Sequence, residues 1–125
     1  MKRPGISEAE WEVMEVLWRR SPCSPSEIIE ALASHEWAPT TIRTMLDRLT
    51  KKKVVAVRKD GRSILFRPLL KREDCVRKES ESFLRRVFAG APHPLLLHFT
   101  STARLSPEQI EDLERVLKNK RKEKS

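Results

Sequence analysis

Apolar residues recur along this chain at two spacings, one helical and one extended, and the change between them divides it. Val13, Met14, Leu17 and Trp18, with Trp11 nearby, follow the 3.6-residue period of a helix. Ser7-Glu8-Ala9-Glu10 reads as a capping box, so that helix starts there and stops before Ser21-Pro22. Ser24-Pro25-Ser26-Glu27 repeats the device for a second helix, with Ile28, Ile29, Ala31 and Leu32 on its buried side and a turn over His35-Glu36-Trp37-Ala38 after it. Pro39 opens a third helix that runs to about Lys53, although Ala38 is a poor N-cap. Steps of 100° place Ile42, Met45, Leu46 and Leu49 on one stripe of it and Thr40, Thr44, Asp47, Arg48 and Lys51 on the opposite one.

The period then shortens to that of a strand. Val54 to Lys59 and Arg62 to Arg67 flank Asp60-Gly61, which predicts a β-hairpin closed by a two-residue type I′ turn. From about Lys71 a charged helix runs to Ala89, ended by Gly90 and Pro92, with Val76, Phe83, Leu84, Val87 and Phe88 as its apolar stripe. Pro94 to Thr100 contains Leu95-Leu96-Leu97-His98-Phe99 and reads as a short buried helix. Ser106-Pro107-Glu108-Gln109 launches a last helix with Ile110, Leu113, Val116 and Leu117 inward and a frayed tail from Lys118 to Ser125. The expected fold is mainly α with a small β-hairpin wing: a winged helix-turn-helix over residues 1–70, then a helical region over residues 71–125 that pairs two copies.

Size supports the pairing. The 125 residues are 38% hydrophobic and 35% charged, which suits a globular chain with little apolar surplus for a solitary core. The dimerisation residues expected from the stripes are Phe83, Val87, Leu96, Phe99, Ile110, Leu113, Val116 and Leu117; the alternative is that they pack within one chain. No apolar run approaches a membrane span, and acidic residues stand where a signal peptide needs an apolar stretch, so a cytoplasmic protein without membrane contact is expected. Cys23 and Cys75 lie far apart in helical patterns, which argues for reduced thiols.

Charge identifies the partner. The net charge is +8, but residues 1–39 carry four basic side chains against seven acidic ones, whereas residues 40–67 carry nine (Arg43, Arg48, Lys51, Lys52, Lys53, Arg58, Lys59, Arg62 and Arg67) against Asp47 and Asp60. A positive field confined to the third helix and the hairpin fits double-stranded DNA, because a recognition helix must present hydroxyls and guanidinium groups to base edges and phosphates. The DNA-binding candidates are Thr40, Thr41, Arg43, Thr44, Arg48, Lys51, Lys52, Lys59 and Arg62. Arg48 suits bidentate binding of guanine, and Thr40 and Thr41 suit a thymine methyl or a phosphate at the helix start. The lysines and the wing residues Lys59 and Arg62 suit phosphates, with Arg62 in reach of a minor groove. The other reading of Lys51 to Lys53 is that they complement the negative end of their own helix.

These residues also resemble a known family, the BlaI/MecI/CopY type of penicillinase repressors. The resemblance rests on Ile6-Ser7-Glu8-Ala9-Glu10-Trp11-Glu12-Val13-Met14, on Ala38-Pro39-Thr40-Thr41-Ile42-Arg43-Thr44-Met45-Leu46-Asp47-Arg48-Leu49, and on Ser82-Phe83-Leu84. It implies a transcriptional repressor whose two winged heads bind an inverted repeat, a palindromic operator of TACA and TGTA half-sites, as a homodimer with interlocked C-terminal helices. In the resistance members a membrane sensor protease triggers cleavage between Asn and Phe. The matching pair here is His98-Phe99, where His departs from the family's Asn; the other role of Phe99 is core packing. The copper-responsive members carry a Cys-x-Cys cluster that this chain lacks. Cys75, His93 and His98 have no metal-ligand spacing, so no metal and no cofactor are expected.

No Gly-rich phosphate loop, paired-histidine helix motif or nucleophile elbow occurs, so no enzyme activity is expected. The competing reading is a winged-helix module that docks a protein without reading DNA, and the local charge of +7 over residues 40–67 argues against it.

Overall fold

The computed structural model describes residues 5–123 and divides the chain into two compact units, 1–77 and 78–125. In the first unit α1 (Glu8–Arg19) and α2 (Pro25–Ala31) both begin with the capping box read from the sequence. The Ser7 hydroxyl accepts from Glu10 N–H at 3.1 Å, and Glu10 Oε1 accepts from Ser7 N–H at 2.9 Å. A 3₁₀ turn, Ala33–His35, leads to α3 (Pro39–Lys51), whose N-cap Ala38 supplies no side-chain hydrogen bond. The hairpin follows as β1 (Val55–Asp60) antiparallel to β2 (Ser63–Pro68), and Cys23 adds a single bridge to Phe66 on the other edge of β2.

One apolar cluster holds these elements together. Val13, Met14, Val16 and Leu17 of α1 meet Ile28 and Leu32, the inner stripe of α3 and Val54-Val55, with Trp18, Trp37 and Phe66 packed around them. All four expected α3 core residues, Ile42, Met45, Leu46 and Leu49, are buried. Ala31 is exposed, because Ile28 and Leu32 already fill the inward side of the short α2.

The end of α3 is a Schellman motif: Val54 N–H donates to Leu49 O at 3.0 Å and Lys53 N–H to Thr50 O at 3.0 Å. Lys53 takes the left-handed position usual for glycine, with φ 63°. Asp60 pairs with Ser63, so the hairpin loop is Gly61-Arg62 rather than Asp60-Gly61. Gly61 has φ 66° while Arg62 is not left-handed, which is the pattern of a type II′ turn and differs from the expected type I′ by one residue of register.

The second unit holds most of α4 (Arg72–Phe88), then α5 (Pro92–Thr102) and α6 (Pro107–Glu123). Ala89 and Gly90, both left-handed, end α4, and Gly90 N–H donates back to Leu84 O at 3.1 Å. Ser106 caps α6 as expected, but the helix runs on to Glu123 through most of the stretch expected to fray; Lys124 and Ser125 lie outside the described residues. No described residue of this unit is buried. The segment expected to be a buried helix is instead exposed in the single chain, Leu96 at 53% and Phe99 at 51%, and so are Ile110, Leu113, Val116 and Leu117. Three helices of this size have too little mutual surface to cover their own apolar stripes.

One charged residue lies inside the core. Glu10 is 2% exposed, and its Oε1 accepts from Lys52 Nζ at 2.6 Å, while Lys52 also donates to Gly5 O at 3.1 Å. Burial alone raises the Glu10 carboxyl, but the hydrogen bond and charge of Lys52 and the bonds from Ser7 outweigh it and hold the group below its ordinary 4.5. A depressed carboxylate stabilises the fold above the unfolded value and loses that contribution as pH falls through the folded one. Glu10→Gln is therefore expected to destabilise the protein by on the order of 3 kcal/mol at neutral pH. In urea titrations the gap between the two proteins should begin to close below about pH 4.5, and a gap independent of pH would refute the assignment.

Candidate nucleic-acid interface

The core that buries one stripe of α3 forces the other outward, and Thr40, Thr41, Arg43, Thr44, Asp47, Arg48 and Lys51 are all exposed. Arg43 and Arg48 have no ion-pair partner among the described residues. Their guanidinium groups thus face water without an intramolecular competitor for an incoming anion or base edge. The Thr44 hydroxyl donates to Thr40 O at 2.9 Å, which leaves its lone pairs and methyl for an outside contact. Lys51 pairs with Asp47 at 3.1 Å across one turn, both side chains more than 60% exposed, a bond weak enough to exchange for a phosphate.

Lys52 does not join this group. Its side chain is four-fifths buried with the ammonium against Glu10, so the expected phosphate contact is replaced by a structural one, because an unpaired buried carboxylate would be more costly than a lost surface contact. The other reading, a lysine that merely complements its helix end, also misses the Glu10 bond, which spans 42 residues of chain.

On the hairpin, Lys59 and Arg62 are exposed and unpaired among the described residues. Two further cations were left unassigned by sequence reasoning. Arg58 pairs across the hairpin with Leu65 and Arg67 with Ala56, which puts both arginines on one face of the ribbon. Together with Ser21, Pro22 and Leu65 they line a groove of about 300 Å³. The alternation of the strands carried this signal, since positions 56, 58 and 60 share a face. Burial pushes the Cys23 thiol up, reinforced by the Glu27 carboxylate, and its Sγ–H donates to Arg20 O; Cys23 and Cys75 form no disulfide. No three His, Cys, Asp or Glu side chains converge as a metal site among the described residues, and no described helix is long and apolar enough to cross a membrane.

The penicillinase repressor family model matches residues 6–119, which is most of the chain. The chain belongs to that family. A penicillinase repressor of Bacillus licheniformis is 39% identical over 126 residues, 98% of each chain. The methicillin resistance regulatory protein MecI of Mammaliicoccus sciuri is 36% identical over 116 residues, 92% of this chain and 94% of its own. The solution structure of monomeric B. licheniformis BlaI in complex with the blaP half-operator matches with a TM-score of 0.52 and 42% identity, over 58% of this chain and 90% of that one. Penicillinase repressors are transcriptional regulators rather than enzymes, and the three-helix head with its hairpin is their winged helix.

If the α3 stripe reads bases, Arg48→Ala should lose about 1–3 kcal/mol on a preferred duplex and little on a random one. Lys51→Ala should weaken both alike and lower the salt slope by about one, whereas Lys52→Met should leave that slope unchanged. Fluorescence anisotropy on cognate and scrambled duplexes at several salt concentrations separates the three, and equal losses for Arg48→Ala on both duplexes would remove it from base reading.

Proposed function

We infer that this protein is a DNA-binding transcriptional repressor that acts in the cytoplasm as a homodimer on an inverted-repeat operator. The observation that carries the reading is the α3 surface: a hydroxyl and guanidinium stripe, exposed along its length and presented by a helix whose opposite side is locked in a core. A helix held that way enters a major groove as a rigid body, with Thr40, Thr41, Arg43, Thr44 and Arg48 toward base edges and backbone. Lys51, Lys59 and Arg62 then supply phosphate contacts, joined by Arg58 and Arg67 on the ribbon. The bound half-operator of the related BlaI supports the same use of this head. A protein-docking module has no need of these unpaired cations, so that alternative is not favoured.

Residues 1–70 are assigned to DNA binding and residues 71–125 to dimerisation. The second unit supports this by what it leaves uncovered: Val87, Leu96, Phe99, Val116 and Leu117 are all more than half exposed, and Phe83, Leu95 and Phe99 line a groove of about 470 Å³ with Glu79, Ser80 and Arg86. A second copy offers the same stripes in return, and two-fold symmetry buries both. His98 and Phe99 lie inside α5, their rings 5.6 Å apart. A protease takes an extended backbone, so cleavage by a sensor-triggered protease at this bond requires α5 to open first.

A dimer with roughly 6–10 phosphate contacts should lose about 10³–10⁵ in affinity between roughly 50 and 200 mM salt. A flat response in a mobility-shift titration on a palindromic duplex would contradict direct DNA binding. Leu113→Asp should yield monomers, with self-association weakened by at least about 3 kcal/mol because each copy would bury an unpaired carboxylate. An unchanged mass in light scattering would place the dimer interface elsewhere.

A further inference from the structure

Residues 69–75 leave the hairpin and enter α4. They are fixed at several points, all within the first unit. Leu69 N–H donates to Val54 O at 2.8 Å, at the junction of α3 and the hairpin. Trp18 Nε1–H, from α1, donates to Leu70 O at 3.0 Å, while the Leu70 side chain packs on the core cluster. Arg72 Nε donates to Glu15 Oε1 at 2.7 Å, one α1 turn before Trp18. Cys75 is buried one turn into α4. The Trp18 indole is itself held edge-on by Trp11, with ring centroids 5.2 Å apart.

We propose that Trp18 and Glu15 are positioning residues that lock the root of α4 to the reading head and thereby set which spacing between operator half-sites the dimer accepts. This rests on the dimeric repressor reading above. Two bonds from successive turns of one rigid helix to consecutive stretches of a departing segment remove both its swing and its twist, where a single bond would leave a pivot. In a two-fold dimer the angle at which each α4 leaves its head determines how far apart, and at what rotation, the two α3 helices meet the duplex. One base pair added between half-sites moves the second by about 3.4 Å and turns it by roughly 35°. A head fixed at its root cannot follow that change, while a head freed to pivot can. The joint is thus a specificity determinant that touches no nucleotide.

The test measures affinity for duplexes carrying inverted TACA and TGTA half-sites at the preferred spacing and with one base pair added or removed, alongside a single half-site duplex. Wild type should lose tenfold or more on each altered spacing. Trp18→Phe removes the indole donor together with part of the ring, and Glu15→Gln keeps its volume but removes the charge that strengthens the bond from Arg72; together they should reduce that penalty to threefold or less, with half-site affinity and dimer mass unchanged. Arg72→Gln, outside the core, should relax the preference in the same direction and covers the case in which the double variant folds poorly. Retention of the wild-type penalty by a folded Trp18→Phe/Glu15→Gln dimer and by Arg72→Gln would overturn the proposal. Failure of wild type to bind any spacing would instead overturn the repressor reading itself.

Discussion

The ion pair between Glu10 and Lys52 ties the beginning of α1 to the end of α3, and the usefulness of the head depends on it. A recognition helix is a tool only if its exposed stripe keeps one orientation. Apolar packing of Ile42, Met45, Leu46 and Leu49 gives α3 a seat, but such packing is non-directional and admits small rotations. A buried charge pair is directional: it has one geometry in which both ions are satisfied, and departures from it are steeply penalised in a water-poor site. Glu10 also forms half of the α1 capping box, so the same carboxylate starts one helix and anchors the end of another. Its Oε2 has no partner among the described residues, so the two bonds at Oε1, from Ser7 and from Lys52, carry the compensation for burying the group.

From that anchor the chain follows as a series of short ties. The Schellman turn hands α3 to β1, Cys23 and Phe66 bridge the α1–α2 connection to β2, and the bonds of residues 69–72 bring the start of α4 back to α1. Every one of them ends on an element that also packs the core. The second unit is built on the opposite principle, since its helices are individually regular, α6 with a capping box of its own, yet leave their apolar stripes open. A head that is complete alone and a tail that is incomplete alone suit a protein that binds as two heads held by one shared core.

What the sequence made legible was governed by distance along the chain. Capping boxes at Ser7, Ser24 and Ser106 link residues three apart and were readable, as was the split of α3 into a buried and an exposed stripe. The hairpin was readable but its loop was not, because Asp60-Gly61 and Gly61-Arg62 both put a glycine in a two-residue turn and the pairing of Asp60 with Ser63 decides between them. Lys52 was grouped with Lys51 and Lys53 because a run of lysines gives no sign of which one turns inward; its partner lies 42 residues away and Glu10 itself looks like an ordinary capping residue. The apolar run at Leu95–Leu97 reads as a buried helix, and a single chain leaves Leu96 and Leu97 more than half exposed. Trp18 read as a core aromatic, and nothing in the local pattern marked its indole nitrogen for Leu70.

The left-handed backbone of Lys53 carries a consequence for engineering. Glycine is at ease in that conformation and lysine is strained by about 1 kcal/mol. A designer seeking heat resistance would replace it first. Yet the strained residue joins the reading helix to the wing and adds its charge between Lys51 and the cations of the ribbon, so the sturdier molecule would also be the one with a weaker grip on a polyanion.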